Sequence, residues 1–172
     1  MNTKISMGSI PIKIMLGSDQ RGSALFNFVV KQLKDDSRYE ISFIDGYETE
    51  CLDYPYVAAN ISAAVSAGKV RFGIVVGGTG LGMCVTANKF PGVRAALCHN
   101  EVDTELSRKH NNANVLCLAG DMLGERACAA IVNKWLSTEF SGGRHQKRLD
   151  IINAIERDNL KKRSRVAELA MC

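Results

Sequence analysis

Five short apolar runs, each separated from the next by a segment with helical spacing, leave this chain few ways to fold. The first run, Ile12-Lys13-Ile14-Met15-Leu16, ends in Gly17-Ser18-Asp19 and reads as a buried strand with a turn at its carboxyl end. Leu25, Phe28, Val29 and Leu33 follow at the spacing of one helix face. Residues 40–45 form the second run. Pro55 suits the first position of a helix that carries Val57, Ile61, Ala64 and Val65 on one side. Residues 71–76 are a third strand and 81–88 a short helix. Residues 94–98 are a fourth strand, 103–110 a helix and 114–118 a fifth strand. Gly124 opens a long helix to about Leu136, Gly142-Gly143 breaks the chain, and a last helix starts near Gln146. There is no internal repeat. Strand-helix alternation over five units predicts a parallel sheet with helices on both faces. Ligands of such sheets bind at the carboxyl ends of strands. That puts the turn Gly17-Ser18-Asp19-Gln20 and the loop Gly77–Gly82 on the functional edge.

The 172 residues suit one domain with one core. We divide them into an extension over 1–10, a domain over 11–158 and a charged tail over 159–172. No apolar run approaches the ~20 residues of a membrane span, and MNTKISMGSIPIK lacks the apolar stretch of a signal peptide. A cytoplasmic protein is expected, with no membrane partner. Cys51, Cys84, Cys98, Cys117, Cys128 and Cys172 show no CxxC spacing. In that compartment they read as free thiols rather than disulfides or a metal site.

The net charge of +4 is uneven. Residues 144–165 hold eight Lys/Arg and three Asp/Glu, so the remaining 14 basic and 15 acidic residues sum to −1. A basic segment raises nucleic acid as a partner, but no aromatic residues interleave with the cations as a base-stacking surface requires. A solvated helix face or a phosphate site remains.

The loop in VVGGTGLGMCVTANK, residues 75–89, holds four glycines between 77 and 82. A dinucleotide fingerprint needs G-x-G-x-x-G after the first strand; here Gly78 and Gly80 fit, the third position is Met83, and the loop follows the third strand. A nucleotide P-loop needs Gly-Lys-Ser/Thr, and Gly82 precedes Met83. What is left is a loop whose backbone N–H groups converge on a negative oxygen, with the hydroxyl of Thr79 beside them. A tight turn without a ligand would gain little from so many glycines.

Two further clusters carry chemistry. Ser107-Arg108-Lys109-His110-Asn111-Asn112 ends a helix, where His110 can act as acid or base near neutral pH or simply cap the helix. Gly142-Gly143-Arg144-His145-Gln146-Lys147-Arg148 places Arg144 and Arg148 four apart, on one face at a helix start. Two guanidiniums there make a phosphate clamp, or else a basic cap.

In this order, GGTGLGM, TANKFPGVRAALCH, SRKHNNANVLCLAGDMLG and GGRHQKR resemble the ribose-5-phosphate isomerase type B family, which includes the subunits of galactose-6-phosphate isomerase. The likeness spans about residues 11–158. It implies a Rossmann-like α/β/α sandwich with a five-stranded parallel sheet and a C-terminal helix, and no cofactor or metal. It implies homodimers or homotetramers with shared active sites, in which Arg144 and Arg148 reach a neighbour's site. The implied reaction is aldose–ketose isomerisation of a sugar phosphate, such as ribose 5-phosphate to ribulose 5-phosphate, through a cis-enediolate. On this resemblance His110 opens the sugar ring. Thr79, Gly78, Gly80, Leu81, Gly82 and Asn111 contact the sugar and its oxyanion, Asp19 and Gln20 after the first strand bind the substrate, and Arg144 and Arg148 bind phosphate.

The chain departs from the pattern at working positions. The family's base is a cysteine in one branch, where this chain has Gly77, and a glutamate in another, where it has Met83. Gln20 replaces a histidine, and Asp121 stands where an arginine is expected, putting negative charge near the phosphate. Cys84 is the nearby candidate base, but a helix of ~3.6 residues per turn rotates it by about 100° from the glutamate position. The alternative is therefore a non-catalytic chain that binds a sugar phosphate or completes a site with an unlike family subunit. A chain without a base should turn over slowly.

Overall fold

The structure, a computed structural model, describes residues 10–45 and 53–169. Cys51, Cys172 and nearly all of the predicted N-terminal extension lie outside them. Five strands form one parallel sheet: β1 (Ile12–Ser18), β2 (Tyr39–Asp45), β3 (Phe72–Gly77), β4 (Ala95–Leu97) and β5 (Val115–Ala119). Their order is β2-β1-β3-β5-β4. The helices are α1 (Ser23–Leu33), α2 (Tyr54–Ser66), α3 (Leu81–Ala87), α4 (Glu101–Asn111), α5 (Glu125–Ser137) and α6 (Arg144–Leu169). The expected α/β/α sandwich is present.

The core lies on both faces of the sheet. Leu25, Phe26 and Val29 of α1 and Ile131, Val132 and Trp135 of α5 pack on Ile14, Leu16, Ile74 and Leu116. Val57, Ile61 and Val65 of α2 and Met83 and Ala87 of α3 pack on Val75, Val115 and Cys117. β3 and β5 are buried along their whole length, as continuous apolar runs in a central parallel sheet require. On α1 the inward residue is Phe26, with Phe28 only partly buried. No helix among the described residues is long and apolar enough to cross a membrane.

Three boundaries differ from the periodicity, each for a local reason. α4 begins at Glu101 because Oδ1 of Asn100 accepts the N–H groups of Val102 and Asp103 (both 2.9 Å) and caps the helix there. α6 begins at Arg144 because Gly142 (φ 62°) and Gly143 (φ 55°) take left-handed conformations that turn the chain straight into it. α6 then continues to Leu169, through most of the segment assigned to a tail.

The chain goes from β1 outward to β2, then returns past β1 to β3. β1 and β3 are therefore neighbours at the point where the sheet order reverses, where the crevice of a doubly wound sheet opens. Ser18 pairs with Val76, and the N–H of Asp19 donates to the carbonyl of Val76 (3.2 Å). This register sets Asp19 beside Gly77.

Candidate active site

A cavity of about 250 Å³ opens at this point. Asp19, Arg21, Tyr54, Thr79 and Met83 line it, together with the glycines at 77, 78, 80 and 82. The carbonyls of Gly77 and Gly78 accept the N–H groups of Gly120 (2.8 Å) and Asp121 (2.9 Å), which tie the loop to the end of β5. Among the described residues the N–H groups of Gly78, Thr79 and Gly80 have no acceptor within the chain. Gly80 has φ 71°, and a Cβ there would lie 2.6 Å from Leu97 and 2.9 Å from the Leu118 carbonyl, so no other residue fits the turn without movement. Three free donors on a fixed loop suit an oxyanion.

Asp19 stands over the loop. Its Oδ1 accepts the N–H of Gly22 (2.8 Å), and a Cβ added at Gly77 would lie 3.1 Å from its Oδ2 and 3.0 Å from Cγ of Met83. The absence of a side chain at Gly77 thus leaves the carboxylate room. Met83 is 1% exposed and fills the floor. Asp121 does not stand as a bare negative charge: it forms an ion pair with Arg21, a residue the motif reading passed over. Arg21 lies in the turn after β1, so the rim of the cavity carries a guanidinium although the β5 loop supplies an aspartate. Tyr54 was also missed. It is the residue before Pro55, and its ring packs over Gly82, where a Cβ would come within 2.4 Å.

Gln20 and Leu81 do not line the cavity. Cys84 does not line it either. Its thiol faces the sheet, within 3.6 Å of the Ala95 carbonyl and of the amide nitrogen of Asn88. A hydrogen bond with the Cys117 thiol, working against desolvation, brings its pKa down to about 7, while burial pushes Cys117 well up. Low pKa here reflects a thiol pair between α3 and β5, away from the loop donors. Cys84, Cys98, Cys117 and Cys128 are all free.

The second group of predicted residues gathers elsewhere on the chain. His110, on the last turn of α4, stacks on His145 of α6 with ring centroids 4.0 Å apart and an interplanar angle of 6°. Arg144, exposed Asn111 and exposed Arg148 flank this pair in sequence, and none of the five lines the glycine-loop cavity. Arg108, in the same motif, turns inward. It is 4% exposed, donates to the carbonyl of Ala113 and to Oδ1 of Asn112, and lies over the rings of Phe72 and Trp135. Burial, with Arg71 and Arg94 nearby, lowers its pKa to about 10, so it stays charged and holds α4 to the core.

A family model described as Ribose/Galactose Isomerase matches residues 14–152. The chain is 38% identical over 144 residues to ribose-5-phosphate isomerase B of Escherichia coli (strain K12), covering 84% of this chain and 96% of that one. It superposes on the ribose-5-phosphate isomerase B of Clostridium thermocellum with a TM-score of 0.82 at 40% identity, over 86% of this chain and 99% of that one. The ribose-5-phosphate isomerase B of Mycoplasma genitalium, solved with ribulose-5-phosphate bound, gives 0.80 at 35% identity, over 87% and 99%.

Proposed function

The chain belongs to the ribose/galactose isomerase family and is an aldose–ketose isomerase, and we propose that it interconverts ribose 5-phosphate and ribulose 5-phosphate through a cis-enediolate. The observation that supports this best is the cavity between the ends of β1 and β3, where free loop N–H groups, a carboxylate and a guanidinium converge. Its roughly 250 Å³ lies at the small end of ligand sites, which run from about 300 Å³ upward, and suits a sugar phosphate rather than a dinucleotide. The alternative of a non-catalytic subunit is not favoured. Two of its grounds were the missing base and the negative charge of Asp121; the cavity holds a carboxylate, and Arg21 pairs with that charge.

The working unit is a homodimer. A single chain leaves His110, Asn111, Arg144 and Arg148 away from the glycine loop, so a second copy supplies them. Leu81 and Val85 on α3 are 60% and 59% exposed, and Ile151 and Ile155 on α6 are 61% and 56% exposed. An apolar surface of this kind suits a self-complementary contact. In such a site Arg144 and Arg148 take the phosphate by charge-assisted hydrogen bonds, His110 opens the ring, and the loop N–H groups hold the enediolate oxygen. The four free thiols among the described residues fit a reducing cytoplasm, where the reaction serves pentose phosphate metabolism.

The test is steady-state turnover by the purified chain alone with ribose 5-phosphate, and with galactose 6-phosphate as comparator. Ribulose 5-phosphate formation at an ordinary enzyme rate, on the order of 1–10³ per second, supports the proposal. Conversion of neither sugar phosphate refutes it.

A further inference from the structure

We infer that Asp19 is the base that moves the proton between C1 and C2 in this chain, an assignment that rests on the isomerase reading above. Three observations carry it. First, among the described residues the ionisable side chains lining the cavity are those of Asp19, Arg21 and Tyr54. A guanidinium has no acceptor atom and a phenol hydroxyl already carries a proton to donate, whereas a carboxylate offers two acceptor oxygens. Second, its two oxygens are differentiated. Oδ1 is fixed by the N–H of Gly22 at 2.8 Å, whereas Oδ2 has no hydrogen-bond partner among the described residues and faces Gly77. One oxygen anchors the group and the other is left to accept a proton. Third, Oδ2 borders the empty base position at Gly77: a Cβ there would lie 3.1 Å from Oδ2, and 3.0 Å from Cγ of Met83, the other empty base position. Arg21, which lines the same cavity, is paired with Asp121.

The step balances without a co-reactant. Oδ2 takes the proton on C2 of the open-chain aldose. The C–H pair becomes the C1=C2 bond and the carbonyl pair moves to O1, giving the cis-enediolate beside the N–H groups of Gly78, Thr79 and Gly80. A proton passes from O2 to O1, and a lone pair on O2 re-forms a carbonyl at C2. The C1=C2 pair then takes the proton back from Asp19 at C1. Asp19 ends as it began, and the aldose has become a ketose.

The experiment uses Asp19→Asn, which keeps an oxygen to accept from Gly22 but cannot take the proton. With ribose 5-phosphate carrying hydrogen or deuterium at C2, we expect kcat to fall by about 10²–10⁴-fold. The isotope effect should persist or grow, and the thermal shift given by ribose 5-phosphate should be retained. A variant with kcat within threefold of the native chain overturns the assignment, as does a slow variant whose isotope effect vanishes, because a step other than C–H cleavage would then have been impaired. Gly77→Ala provides a second arm if the first variant does not fold. Its Cβ crowds Oδ2 and Met83, and displacement of the carboxylate should lower kcat by about tenfold or more with little change in KM; unchanged kcat counts against Asp19. A native chain that isomerises no sugar phosphate refutes the isomerase reading itself, whereas an active native chain with an equally active Asp19→Asn refutes the base alone.

Discussion

The imidazole rings of His110 and His145 lie face to face, 4.0 Å between centroids, joining the end of α4 to the first turn of α6. His145 is 7% exposed. Burial lowers its pKa first, and the neighbouring His110, Arg144 and Arg148 lower it further. A histidine with a depressed pKa in the folded state binds fewer protons there than in the unfolded chain. Its contribution is therefore present above the ordinary histidine value of ~6.5 and is lost as pH falls below it. We expect the Tm to drop between pH 7 and pH 5, and His145→Asn to flatten that part of the profile. Equal slopes for the two proteins would show that the pair does not govern it.

Arg21 and Asp121 form an exposed ion pair at the mouth of the cavity. Such pairs contribute ~0–1 kcal/mol to folding, so Arg21→Ala should hardly move the Tm. A cation that meets the substrate contributes more, about 1.5 kcal/mol or roughly tenfold in affinity. We expect KM for ribose 5-phosphate to rise by about tenfold while kcat changes little. A large Tm loss with unchanged KM would make the pair a structural tie between the β1 and β5 loops.

Cys84 should be dispensable for the chemistry. It faces Cys117 and the Ala95 carbonyl, so Cys84→Ala is expected to keep kcat within a few-fold of the native value. A fall of the size expected for Asp19→Asn would return the thiol to the site.

The sheet was legible because β3 and β5 are apolar from end to end and each strand is followed by a helix with one apolar face. The glycine loop was legible for a related reason, since Gly80 meets a real steric limit at Leu118. What the sequence hid was adjacency across the sheet. Asp19 touches Gly77 only through the pairing of Ser18 with Val76, and Arg21 meets Asp121 across 100 positions of chain. Asp121, read along the sequence, is a lone negative charge; in space it is half of a pair. Cys84 drew notice by its place beside the loop, but its side chain points into the core. Arg108 shared a motif with His110, yet a single helix turns one inward and the other toward α6.

The claim that Asp19 acts from one copy and Arg144 and Arg148 from another is tested by mixing two inactive proteins. Asp19→Asn carries intact arginines, and the Arg144→Ala/Arg148→Ala double variant carries an intact carboxylate. In a randomly reassorted mixture about half of the two-fold dimers contain one of each, and one of their two sites is complete, so about a quarter of native turnover should return. If tagged pull-down shows that mixed dimers form and ribose 5-phosphate is still not converted, the site is not shared in this way.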